Sequence, residues 1–222
     1  MIPKIYVALT FDDGYIYHYA VAQLLNRLGI KATFFIITHL KKFEGKTLLT
    51  LRPELIGEIV KYGHEIGSHT KTHPNLTTIP LYKVEEEARE SKRLLEDLTG
   101  KEIINFAYPY GAYNTNTIRV ISRYYEYARG GGVNSLEDSF NVNPKSRYII
   151  GAFVRQRKYI RKLLQLPIKL IQHEYRECIR IVIVMHMEGM FEILALITYL
   201  KLLPANVRFI TMTELAETLR SE

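Results

Sequence analysis

Two carboxylates stand side by side at the end of the first apolar run, in the stretch TFDDGY at residues 10–15. Adjacent aspartates repel each other, and nothing about folding requires the pair. Downstream, GSHTKTHPNL carries His69 and His73, four positions apart. On a helical turn that spacing puts both imidazoles on one face, which suits a divalent metal. Pro74 would end such a turn at His73. Two imidazoles and one carboxylate leave open positions on an ion, as catalytic sites need. One aspartate can then bind the metal while the other acts as a base, and the ion's charge offsets their repulsion. The spacing does not say which aspartate does which. Neighbouring strand residues point to opposite faces, so the backbone must turn at the pair, and Gly14 is the residue expected to permit it.

Two further signals complete the set: YPYG at 108–111, and His186 at the end of the run IVIVM. Each signal alone is weak. DDG and PYG are common turn sequences, and a histidine in an apolar run is by default a satisfied core residue. Their weight comes from joint placement, since each follows a different strand-like run. In a closed parallel sheet those strand ends share one rim.

The elements that would place them alternate along the chain. Strand-like KIYVALTF (4–11) is followed by a helix at 17–29 ending at Gly29, a strand at 31–37 and a helix at 52–63. The short strand HEIGS precedes a long amphipathic helix at 80–100, the strand INFAY, a helix at 114–125 and the strand EYAR. Residues 130–146 read as loop, SRYIIGAF as a strand, and 155–172 as a helix whose RQRKYIRK cluster is a solvated face. The strand IRIVIVMH, a helix near 190–202, the strand VRFIT and a final helix close the order. This pattern predicts an α/β fold: a deformed (β/α) barrel of about seven parallel strands inside a layer of helices. A single domain over residues 1–222 is expected.

Composition narrows the classes. The chain has 222 residues, 47% hydrophobic and 24% charged, enough for a full core. Its only cysteine, Cys178, excludes an intramolecular disulfide and a cysteine-based zinc site. The formal charge of +7 is spread out, and no groove-reading motif supports nucleic-acid binding. No run approaches the roughly 18–20 apolar residues of a membrane helix. The opening MIPKIYVALTFDDG does not read as a secretory leader, so a cytoplasmic location is expected; a secreted form would need a leader missing from this sequence.

TFDDG, HTKTH, YPYG and VMH, in this order and spacing, resemble the polysaccharide deacetylases, the NodB-homology carbohydrate esterases. KATFF and HEIGSHTKTHPNL are also typical of that family, and the resemblance spans nearly the whole chain. It implies a deformed (β/α) barrel, a divalent metal (zinc first, cobalt or nickel as alternatives) and removal of acetyl groups from N-acetylated sugars. By position it implies Asp13, His69 and His73 as metal ligands, Asp12 as general base and His186 as the acid that protonates the leaving amine. Tyr110 would lend its backbone N–H to the oxyanion, and Thr70 would tie down the histidine loop. Tyr108 and Pro109 belong to the same third motif.

Two departures from the family pattern stand out. Where many members carry an arginine two residues before the proline, this chain has Ala107; Arg129 is the candidate substitute cation, the alternative being a surface arginine. The fourth motif's aspartate–tryptophan pair is missing, since the chain has no tryptophan. Asp138 is the loop candidate to partner His186. Tyr15, Tyr108 and Tyr113 lie beside motifs where rings could stack on a sugar, and Glu188 reads as the start of a loop. Three functions compete: a deacetylase of N-acetylglucosamine-type sugars, a metal-dependent amidase of the same family acting on non-sugar C–N bonds such as cyclic amides or ureides, and a glycan-binding barrel without turnover. No partner beyond the substrate is implied, and the oligomeric state is open.

Overall fold

The computed structural model describes residues 2–130, 164–168 and 178–219, together with the backbone of 153–154. All but the first residue of the loop expected at 130–146, with Asp138, most of the strand at 146–153 and most of the helix at 155–172 lie outside the described residues; 164–168 are helical.

The order is β1 (Lys4–Phe11), α1 (His18–Arg27), β2 (Thr33–Ile36), β3 (Lys42–Phe43), β4 (Lys46–Thr47), α2 (Glu54–Lys61), β5 (Glu65–Ser68), α3 (Leu81–Thr99), β6 (Asn105–Ala107) and α4 (Thr115–Ile121). Then follow β7 (Tyr127–Arg129), β8 (Phe153–Val154), β9 (Cys178–Met185), α5 (Met190–Lys201), β10 (Asn206–Ile210) and α6 (Met212–Thr218). The helices form where apolar residues recur at helical spacing. In α1 the buried set is His18, Val21, Ala22 and Leu25. Helix α3 ends at Gly100, whose left-handed backbone (φ 64°) caps it. The sequence reading places no element between 37 and 52. The hairpin β3–β4 lies there, turning on Glu44 and Gly45 with φ of 47° and 75°. Two positive φ values in a two-residue loop match the twist of the strands they join.

Among the described residues eight parallel strands form one sheet in the order β7-β6-β5-β2-β1-β9-β8, with β10 also on β1. β9 runs along β1 from Lys4 to Phe11. The other edge of β1 is divided: Lys4–Ala8 pair with β10, and Thr10 and Phe11 pair with β2. Asp12, just past β1, and Arg129, ending β7, belong to strands four places apart. A flat sheet would separate them by about 19 Å, yet their side chains form an ion pair. The sheet is therefore curled into a half-barrel.

Strand alternation sorts the side chains. Ile5, Val7, Leu9 and Phe11 face the helices in the main core. Ala8 faces the inside of the curl with Phe35, Ala107, Tyr127, Val182 and Val184, where Met212 and Leu215 of α6 also pack. Glu65 fastens that helix: its carboxylate accepts from Thr33 Oγ1 (2.6 Å), Asn105 Nδ2 (2.9 Å) and the Thr213 N–H (3.3 Å). The described helices include none long and apolar enough to cross a membrane.

Gly67 in β5 is sterically required. A Cβ there would lie 2.5 Å from Cε1 of Phe35, which packs inside the curl. Gly67→Ala is expected to cost about 1–3 kcal/mol by overpacking, read as a lower denaturant midpoint. Gly57→Ala, on α2 with open space around its Cβ, should be neutral or stabilising by up to about 1 kcal/mol.

Candidate active site

The rim at the carboxyl ends of the strands gathers the four motifs. Asp12 and Asp13 follow β1, His69 and His73 follow β5, Tyr108–Gly111 follow β6, and His186 follows β9. The turn at the aspartates begins one residue earlier than Gly14 alone would require. Asp13 is itself left-handed (φ 71°), as is Gly14 (φ 73°). Aspartate tolerates that conformation better than most residues. The result is that two successive carboxylates leave the chain in different directions.

The histidine segment is not the helical turn that its spacing suggests. Residues 69–73 form a loop in which Thr70 (φ 70°) and His73 (φ 61°) are both left-handed. A β-branched residue in that region is strained, and local hydrogen bonds hold it there. Thr70 Oγ1 accepts from the His73 N–H at 2.8 Å, and the Thr70 carbonyl accepts from the Thr38 N–H at 3.2 Å. Glu87 of α3, which the sequence reading passed over, caps the loop from below. Its carboxylate accepts from the N–H groups of Lys71 (2.7 Å) and Thr72 (2.8 Å) and from Thr72 Oγ1 (2.5 Å). Its signal is an acid inside the buried stripe Val84, Glu87, Ala88, Ser91, Leu95.

Within this frame three donor atoms converge. Asp13 Oδ1 is 3.6 Å from His69 Nε2 and 3.5 Å from His73 Nε2, and the two Nε2 atoms are 3.2 Å apart. A tetrahedral zinc with bonds near 2.05 Å needs donors about 3.3 Å apart, so the set fits a small divalent cation. His69 Nδ1 lies 2.8 Å from the Ala107 carbonyl. A carbonyl only accepts, so Nδ1 carries a proton and Nε2 is the atom turned toward the cluster. Burial, reinforced by His69, pushes His73 down to about 3 and keeps it neutral. Burial pushes the Asp13 carboxyl up, as does the charge of Asp12; a cation would relieve both. The Tyr15 hydroxyl, pushed up by burial and then by Asp13, stays protonated beside that carboxylate.

Asp12 is held differently. Burial acts to raise its pKa, but Arg129, His69 and His186 together outweigh it and hold the carboxyl below the usual range. Arg129 Nη2 bonds Asp12 Oδ1, and its guanidinium lies 5.0 Å over the Phe35 ring. Arg129 is thus a buried cation on Asp12 and not a surface arginine. Asp12 Oδ2 remains open toward the cluster, 4.0 Å from His69 Nε2 and 3.9 Å from His186 Nε2. His186 is half-exposed, and its N–H donates to Glu188 Oε2 at 2.6 Å.

The tyrosines divide by burial. Tyr15 and Tyr108, expected as stacking surfaces, are 2% and 1% exposed and offer no face to a ligand. Pro109 is also buried. Tyr113 packs on Tyr108 with ring centroids 5.4 Å apart. Tyr110 is the open one, 68% exposed and left-handed (φ 58°), with its ring against His73 at 4.8 Å. Phe43 of the hairpin covers the same imidazole at 4.6 Å. Among the described residues the Tyr110 N–H has no hydrogen-bond acceptor.

The family model described as polysaccharide deacetylase matches residues 2–127, more than half of the chain. The chain belongs to the polysaccharide deacetylase family. It is 33% identical over 110 residues to the peptidoglycan-N-acetylglucosamine deacetylase PgdA of Listeria monocytogenes, covering 49% of this chain and 22% of that protein. It is 30% identical to the deacetylase PplD of Streptococcus pyogenes, solved in complex with acetate, over 55% of this chain and 54% of the other (TM-score 0.51). The Xyl-CE4 domain of a xylanase from the hindgut metagenome of Trinervitermes trinervoides matches 96% of this polysaccharide deacetylase-family chain and 90% of its own, at 23% identity and TM-score 0.63, which shows the common half-barrel fold. The matched part spans 43%, 41% and 22% of the length of three curated relatives.

The Asp12–Arg129 pair is testable by stability. Because the folded Asp12 pKa lies below its ordinary 3.8, the pair stabilises fully above that value and fades as pH falls through the lowered one. With chelator present at neutral pH, Arg129→Met should cost about 3–5 kcal/mol by leaving a buried charge unpaired. Asp12→Asn in the same chain should recover part of that loss in the denaturant midpoint.

Proposed function

We propose that this chain is a metal-dependent hydrolase that removes acetyl groups from N-acetylated sugars of the N-acetylglucosamine type. The observation that carries this reading is the divergence of the adjacent aspartates: Asp13 joins two imidazoles, while Asp12 stays outside the donor set with one oxygen open. A pure binding site has no use for a free carboxylate beside a metal-ligating one. The Listeria relative's name, peptidoglycan-N-acetylglucosamine deacetylase, supports the sugar class.

Asp13, His69 and His73 would hold the cation. Two nitrogens and one oxygen favour zinc, with cobalt or nickel as alternatives. Such an ion supplies Lewis acidity, polarising the acetyl carbonyl and lowering the pKa of a water toward about 7. Asp12 Oδ2 takes the proton of the attacking water. Arg129 keeps that carboxylate ionised and fixes its orientation, the role the family's missing third-motif arginine would have. The Tyr110 N–H stabilises the oxyanion, for which a single donor is worth about 3 kcal/mol. His186 donates a proton to the sugar nitrogen as the C–N bond breaks. Acetate and a free amine leave. Phe43 and Tyr110 flank the His73 ring and exclude water there.

Released acetate from acetylated chito-oligomers, measured with bound zinc, tests the reading. Asp12→Asn should keep its metal and lose on the order of 100-fold or more in turnover. His69→Ala should lose both metal and turnover. Tight oligomer binding with no acetate under zinc, cobalt or nickel would reject the reading in favour of a binding barrel, and turnover of a ureide or imide in its place would assign the amidase chemistry.

A further inference from the structure

We propose that His18 is a positioning residue that fixes the backbone of His186, the proton donor of the proposed reaction; the inference rests on the deacetylase reading. His18 is the first residue of α1 and is fully buried. Its ring lies among Phe11, Tyr15 and Phe34, with centroids at 5.5, 5.6 and 6.0 Å. Its Nε2 bonds the carbonyl oxygen of His186. Burial pushes His18 down to about 4, so the ring is neutral and carries one N–H. The carbonyl can only accept, which places that proton on Nε2. Nδ1 is then a bare lone pair, and among the described residues it has no partner. The ring's whole donor capacity goes to one atom of the His186 backbone.

His186 needs that support. It sits beyond the last residue of β9, so no strand ladder holds its peptide groups. Side chains hold them instead: Glu188 accepts from its N–H at 2.6 Å, and His18 donates to its carbonyl. The His186 ring is half-exposed, and its Nε2 stands 3.9 Å from Asp12 Oδ2. With little packing around the ring, the direction of the Cα–Cβ bond decides where Nε2 points. The segment from the end of β1 to the start of α1 therefore carries the base at Asp12 and, six residues on, the group that orients the acid. The Asp12 N–H adds a second tie, donating to the Met185 carbonyl at 2.9 Å. A leucine could fill the aromatic box around His18, but it could not donate to the carbonyl.

The test is a double-mutant cycle on acetate release from acetylated chito-oligomers, with bound zinc and thermal midpoint measured for each protein. His18→Leu is expected to lower kcat on the order of 10- to 100-fold with KM and zinc content unchanged. His18→Gln keeps an N–H donor at similar reach and should restore most of that loss. In a His186→Ala background, His18→Leu should cost less than about twofold more. Equal losses in both backgrounds, or no recovery by glutamine, overturn the assignment while leaving the deacetylase reading intact. If His18→Leu does not fold, His18→Asn, whose amide falls short of the carbonyl, replaces it with the same expected pattern. Absence of acetate release by the wild-type protein with every metal would reject the deacetylase reading itself, and the His18 role with it.

Discussion

Two negative charges on consecutive residues, 5% and 3% exposed, are the constraint on which this rim depends. Neither carboxylate has water to solvate it, and each raises the cost of the other. The chain separates them by backbone conformation. A left-handed Asp13 turns its carboxylate toward two imidazoles, while Asp12 stays in reach of a guanidinium from β7. That second contact joins strands that a flat sheet would hold far apart. Electrostatics at the rim and curvature of the sheet are thus one arrangement: the curl brings Arg129 to Asp12, and the ion pair holds the curl.

Much of this was legible in the sequence because it is written in local patterns. Continuous apolar runs marked β1 and β9, and Gly29 marked the end of α1. The motif order showed that several strand ends would carry polar groups. The His69–His73 spacing misled because i,i+4 fits one face of a helix, whereas the loop reaches the same convergence through two left-handed residues. Glu87 was hidden for a different reason. Its partners are backbone N–H groups fifteen or so positions away, and its place in the buried stripe of α3 marks it as an acid needing partners without saying which groups it caps. The depth of Tyr15 and Tyr108 was likewise unreadable, since a tyrosine beside a motif serves a core as readily as a ligand. The β3–β4 hairpin turns on Glu-Gly, a weaker signal than Asn-Gly or Asp-Gly.

Strain is concentrated where the chemistry would be. Of the five described non-glycine residues with positive φ, four are Asp13, Thr70, His73 and Tyr110. Such conformations persist only where the surroundings over-determine them, and here they do: Glu87 and Thr70 clamp the histidine loop, and the Ala107 carbonyl fixes His69. At the opposite end of the strands the backbone is regular, and Glu65 binds α6 across the opening of the curl. One end of the half-barrel carries strain, and the other supplies the rigidity that sustains it.

The divided edge of β1 bears on how such a chain comes to be folded. Lys4 pairs with both Cys178 and Asn206, partners from the far side of the sequence. During synthesis β1 emerges well before its long neighbour β9 and the strand that covers its first half. For most of that time an apolar strand, destined to be buried on both faces, has only the two-residue ladder of β2 to lie against. Native pairings so distant along the chain make folding slow and leave sticky strand edges open meanwhile. Closure of this sheet therefore waits for β9 and β10, which add to a strand made long before them.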